Sequence, residues 1–106
     1  MYVIVWEYEV DKDNRDKFEQ AYGPNGVWVE FFKSGKGYIS TELLRKGNEI
    51  NSYITIDRWE SKAAYHEFCE QWLEEYKRID FDCEKLTLRE TCIGMLERLG
   101  YSSYNS

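Results

Sequence analysis

Residues 2–10, YVIVWEYEV, are β-branched or aromatic except for two glutamates, a composition that suits a strand. Alternation puts Tyr2, Ile4, Trp6, Tyr8 and Val10 on one face and Val3, Val5, Glu7 and Glu9 on the other. The pattern then changes period. DKDNRDKFEQAY (11–22) places Phe18, Ala21 and Tyr22 on one side of a helix, with Asp13 or Asn14 as its cap. Gly23-Pro24 ends that helix, and Pro24 is expected to open a second, short one with Trp28, Phe31 and Phe32 as its stripe, closed by Gly35 and Gly37. GYISTELLRK (37–46) and NSYITIDRWE (51–60) read as two further strands joined through KGNEIN, with Gly47-Asn48 as the turn. Ser61 is positioned to cap a long helix in which Tyr65, Phe68, Trp72, Tyr76 and Ile79 recur every three or four residues. FDCEKLTLRE (81–90) is a connection with room for a helical turn, and TCIGMLERL (91–99) is a last strand.

The order strand, helix, strand, strand, helix, strand is that of a ferredoxin-like βαββαβ α+β domain with a four-stranded antiparallel sheet. A chain of 106 residues has enough material for one core, so residues 1–98 are expected to form a single domain and 99–106 a flexible tail. Helices cover one face of such a sheet. The other face would still carry apolar side chains, and each ring left in water forfeits about 1.5–3 kcal/mol. A homodimer joined through the sheet face is therefore expected.

Composition narrows the function classes. A formal charge of −6 argues against nucleic acid and anionic membranes as partners, since both call for a positive patch. The longest apolar run, YVIVW, is far short of a membrane span and lacks the pattern of a secretory signal. Cys69, Cys83 and Cys92 are odd in number and have no metal-ligand spacing; neither a disulfide framework nor a zinc site is indicated, and reduced thiols in the cytoplasm are the simple expectation. Aromatic residues reach 17%, enough to fill a small core and to wall a site for a flat ligand.

Four strings, VIVWEYEV, FEQAYGPNGVWVEFFK, GYISTELLR and above all YITIDRWESKAAYHEF, carry a resemblance that covers about residues 2–97. The chain resembles the antibiotic-biosynthesis-monooxygenase (ABM)-type domain of the dimeric α/β-barrel superfamily, whose junction after the third strand matches Trp59-Glu60-Ser61. The resemblance implies two ferredoxin-like subunits closing into an α/β barrel. It also implies an oxygenase of a small aromatic or quinol-type substrate without metal or organic cofactor, or else a non-enzymatic barrel binding a small aromatic metabolite or serving as a stress-related accessory protein. Haem-degrading relatives carry an asparagine on the first strand, and a tryptophan and an iron-ligating histidine on the second main helix. The matching places here are Trp6-Glu7, Phe68 and about Arg78, with His66 about three helical turns from the last, so haem degradation is disfavoured.

Oxygenation of an electron-rich phenol needs a water-excluding aromatic cavity, a base, and a group that holds the anion. The expected walls are Tyr22, Trp28, Phe32, Tyr65, Phe68 and Trp72; the expected catalytic residues are His66 as base and Arg58, or failing it Arg45, as cation. Plainer roles compete with each. His66 sits off the apolar stripe, Arg58 is free to pair with a surface carboxylate, and the Tyr65–Trp72 stripe suits a core.

Overall fold

The computed structural model describes residues 1–104. Its elements in chain order are strand β1 (Tyr2–Glu9), helices α1 (Arg15–Tyr22) and α2 (Val27–Phe32), strands β2 (Tyr38–Lys46) and β3 (Glu49–Trp59), helices α3 (Lys62–Gln71) and α4 (Leu73–Cys83), and strand β4 (Arg89–Glu97). Short 3₁₀ turns, Lys12–Asn14 and Glu84–Leu86, precede α1 and β4. The sheet is antiparallel throughout, in the order β2-β3-β1-β4, which is the ferredoxin-like arrangement expected from the pattern.

The local reasons for these elements are mostly those the sequence suggests, with three corrections. Entry to α1 is capped not by Asp13 or Asn14 but by Asp11, whose carboxylate accepts from the Asp13 N–H at 2.9 Å; Asn14 precedes α1 without a side-chain cap. Pro24 does not begin α2. It occupies the second position of a tight turn closed by the Gly26 N–H on the Gly23 carbonyl at 3.0 Å, where its fixed φ is equally favourable, and α2 starts at Val27. The long helix after Ser61 is two helices. Trp72, at φ −115° and ψ 30°, bends the chain between them, although its N–H still reaches Phe68 and its carbonyl still receives Tyr76. Ser61 caps α3 as expected, its hydroxyl accepting from the Ala64 N–H at 3.0 Å.

Alternation on β1 and β3 sorts the core. Tyr2, Ile4, Tyr8 and Val10, with Tyr53, Thr55, Asp57 and Trp59 of β3, are buried beneath the helices. Trp59 has no exposed surface and packs against Phe68 (ring centroids 5.1 Å), Tyr38 (5.4 Å), Tyr65 (5.5 Å) and Phe32 (5.8 Å). A second cluster forms around Phe18, with Tyr22 at 4.3 Å, Tyr53 at 4.7 Å and Tyr8 at 5.2 Å. Trp28 spans the two, touching Tyr22, Phe32 and Tyr76. Among the described residues, no element covers the opposite face of the sheet. Val3, Val5, Ile54 and Ile56 stand there half-buried, and Leu44 and Leu96 exposed, among Glu7, Glu42, Arg58 and Lys46.

Residues 98–104 have no regular structure. Of the tail expected over 99–106, residues 99–104 are exposed, and 105–106 lie outside the described residues. None of the described helices is long and apolar enough to cross a membrane.

Candidate functional site

Between the two aromatic clusters the helices and sheet do not meet, and a cavity of about 130 Å³ remains. Ile4, Trp6 and Tyr8 of β1 form its floor with Thr55 and Asp57 of β3 and Thr41 of β2. Tyr22, Trp28, Phe32, Tyr65 and Tyr76 form its walls from the four helices, and Asp80 of α4 and Glu90 of β4 stand at its exposed edge. A dry cavity of similar volume, about 150 Å³, holds a benzene ring in another protein.

The floor contains one buried carboxyl group. Asp57 is 8% exposed and lies on the inward face of β3 between Thr55 and Trp59. Its Oδ1 accepts from the Thr41 hydroxyl at 2.6 Å, and that hydroxyl in turn accepts from the Tyr38 hydroxyl at 2.7 Å. Oδ2 accepts no hydrogen bond among the described residues. Burial pushes the Asp57 carboxyl up to about 6, against the opposing pull of the Thr41 hydrogen bond and the Arg58 charge. At neutral pH Asp57 is thus a carboxylate with a proton affinity well above that of a surface aspartate. Beside it Tyr8, Tyr22 and Tyr65 are held far above the usual phenol range, and Tyr76 is pushed up to about 12, in each case chiefly by burial. These four hydroxyls stay protonated and are available as hydrogen-bond donors. The buried Trp28 indole N–H leans toward the Tyr22 hydroxyl and the Cys83 thiol without meeting either in bonding geometry.

Of the walls expected from sequence, the structure brings together Tyr22, Trp28, Phe32 and Tyr65. Phe68 is buried, but against Trp59 and Phe31 in the core behind the cavity. Trp72 is 39% exposed and does not line the cavity, because the bend between α3 and α4 turns it out of the stripe. His66 is exposed on the outer side of α3, in a shallow surface depression with Met1, Ser61 and Glu97. Arg58 points to the uncovered sheet face, where its guanidinium pairs with Glu42 at 3.2 Å. Neither reaches the cavity, and Arg45 does not line it either. Tyr8, Thr41, Thr55 and Asp57 of the floor, with Asp80 and Glu90 at the edge, are polar residues that sequence reasoning passed over. The signal for Asp57 was present: it is an acid on the strand face that also carries Tyr53, Thr55 and Trp59, a face that alternation assigns to the interior.

A helix-covered antiparallel sheet with an aromatic cavity under the helices defines a ferredoxin-like α+β domain. The antibiotic biosynthesis monooxygenase family model matches residues 1–78, and the chain belongs to that family. Among solved structures, it is similar to a single-residue variant of SnoaB, a cofactor-independent oxygenase from Streptomyces nogalater. That match has 17% identity and a TM-score of 0.71, covering 94% of each chain. A candidate antibiotic biosynthesis monooxygenase from Nitrosomonas europaea matches with 13% identity and a TM-score of 0.72, covering 94% of this chain and 100% of the other. One from Deinococcus radiodurans matches with 10% identity and a TM-score of 0.69, covering 97% and 100%. At these identities the likeness is one of fold. No curated protein sequence matches the chain.

Proposed function

We propose that the protein is a small oxygenase that uses molecular oxygen on a phenol or quinol held in the cavity, with neither metal nor organic cofactor, and that Asp57 is its base. The observation that carries this reading is a buried carboxylate, one oxygen free, in a ring-sized aromatic cavity. Family membership and the likeness to an oxygenase described as cofactor-independent support it. Asp57 takes the proton of the substrate O–H, and the tyrosine hydroxyls around it donate to the resulting phenolate oxygen. The electron-rich ring then gives one electron to O₂. Recombination forms a carbon–oxygen bond at a ring carbon, and loss of water across the O–O bond leaves a carbonyl. Asp57 returns its proton to the departing peroxide oxygen, so that phenol plus O₂ becomes quinone plus water. The aromatic walls exclude water from the anion.

A second reading, a non-catalytic barrel that holds an aromatic metabolite, is favoured by one observation: among the described residues, no lysine, arginine or histidine lines the cavity to stabilise a phenolate. Oxygen consumption separates the two. With a dithranol-like hydroquinone, an electrode should record protein-dependent uptake of one O₂ per quinone formed. Asp57→Asn should lower the rate by about 10²–10⁴-fold, and His66→Ala should leave it unchanged. Uptake no faster than in buffer would leave the binding role.

The working unit in this reading is a homodimer in which the uncovered faces of two sheets pack together, as the apolar row Val3, Val5, Ile54 and Ile56 suggests.

A further inference from the structure

The carboxylates of the cavity are not confined to its floor. Glu90 on β4 and Asp80 on α4 stand at its exposed edge, and neither is paired with a lysine or arginine among the described residues. Glu90 sits opposite Tyr8 on β1, and Asp57 opposite Ile4 on the other side of the same strand. Two strand spacings and the rise from Ile4 to Tyr8 separate the two backbones by about 16 Å. Tyr8 lies between them and feels both charges. The Glu90 carboxyl is raised, first by burial and then by the charges of Asp80 and Glu84, so the edge concentrates negative charge that no lysine or arginine pairs with among the described residues. The site is therefore bipolar in shape but of one sign. A buried acid with a free oxygen stands at one end, aromatic rings lie between, and a pair of unpartnered acids stands at the other, with no cation along the lining.

We propose that the cavity takes a phenol bearing a protonated amine on a short arm, the hydroxyl directed at Asp57 and the ammonium at Asp80 and Glu90. The assignment rests on the phenol-oxygenase reading and names its substrate class. A ring fills the volume under Trp28 and Tyr76, and an arm of two or three bonds carries the charge to the edge, where it relieves the repulsion between the two acids. An aromatic acid of the same shape would place a carboxylate against Asp80 and Glu90 and is rejected.

Three probes of one shape test this: tyramine, the neutral tyrosol and the anionic hydroxyphenylpropanoate. Binding is followed by titration calorimetry and by the fluorescence of the lining tryptophans, Trp6 and Trp28. Tyramine should bind at least about tenfold more tightly than tyrosol, and the propanoate more weakly than either. In the double variant Asp80→Asn, Glu90→Gln, tyramine should fall to within about twofold of tyrosol while tyrosol itself is unchanged. Both substituted side chains are exposed, so the variant keeps its core. Tyrosol equal to or tighter than tyramine, or a preference for tyramine that survives the double substitution, overturns the amine assignment and leaves the phenol cavity standing. Failure of all three probes to bind overturns the cavity reading itself, and the assignment with it.

Discussion

Burial of a carboxylate among aromatic rings favours its neutral form, and the consequence for Asp57 can be followed in stability as well as in rate. Its carboxyl stands near 6 in the fold against an ordinary value of 3.8. Below about pH 4 the folded and unfolded chains both hold the proton, and ionisation costs nothing. Between about 4 and 6 the folded state holds more protons than the unfolded one, so stability falls as pH rises. Above about 6 the full cost remains, about 3 kcal/mol for a shift of this size. Tyr8 of β1, Tyr38 of β2 and Tyr76 of α4 stay neutral across this range, so none of these tyrosines masks the change. Asp57→Asn keeps an acceptor for Thr41 and removes the ionisation. In urea unfolding, the stability of the variant relative to the parent chain should therefore increase by about 2 kcal/mol from pH 4 to pH 7. A difference that is constant with pH would mean that Asp57 titrates as a surface acid. A gain in stability joined to a loss of turnover is the exchange expected of a functional carboxylate kept at a cost.

At the level of elements, the junction from β3 into α3 fixes where the cavity stops. Trp59 fills the end of the sheet, and the loop after α2 passes so close that a Cβ on Gly35 would lie 2.7 Å from the Phe68 ring and 2.8 Å from the Trp59 ring. Both rings are buried and have nowhere to move. Gly35→Ala should therefore cost about 1–3 kcal/mol, read as a lowered urea midpoint, and should loosen the wall that Phe32 and Tyr65 present to the cavity. A midpoint within error of the parent would show that this corner yields. The same junction shows how far the elements are legible in the chain. Period-two alternation and Ser61 as a cap place β3 and α3 closely, because both are local properties. The bend at Trp72 is not legible, since Phe68, Trp72 and Tyr76 keep helical spacing across it. Spacing alone records no rotation, so Trp72 reads as a wall while the fold turns it toward solvent. Asp57 was overlooked for the opposite reason: the pattern placed it inside, but His66 and Arg58 drew the chemistry by residue type, and neither side chain points inward.

At the scale of the whole molecule, the sheet has two very different faces, and only one is accounted for by the chain itself. Helices bury the inward face. The outward face presents Val3, Val5, Ile54 and Ile56 as a row across the two central strands, bordered by Leu44 and Leu96 on the edge strands. Ion pairs ring this row: Arg58 with Glu42, Lys46 with Glu7 at 2.5 Å, and Arg89 with Glu9 at 2.7 Å. A central apolar strip inside a charged rim has the layout of a subunit interface. In the proposed homodimer a second copy occupies this face, and two such faces related by a twofold axis set apolar rows against each other. Light scattering should accordingly return the mass of two chains, about twice 12.8 kDa. The double variant Val5→Glu, Ile56→Glu places paired carboxylates at the centre of the strip, opposite one another on β1 and β3. It should give the mass of one chain while far-ultraviolet circular dichroism stays that of the parent, because neither side chain enters the helix-covered core. A parent mass of one chain would remove the dimer. A variant that retains both its dichroism and the mass of two chains would move the interface to another surface. The cavity lies on the helix-covered side of the sheet and opens at the edge between α4 and β4, not toward this strip, so tyramine binding should persist in a folded monomeric variant, and its loss would tie the site to the assembly.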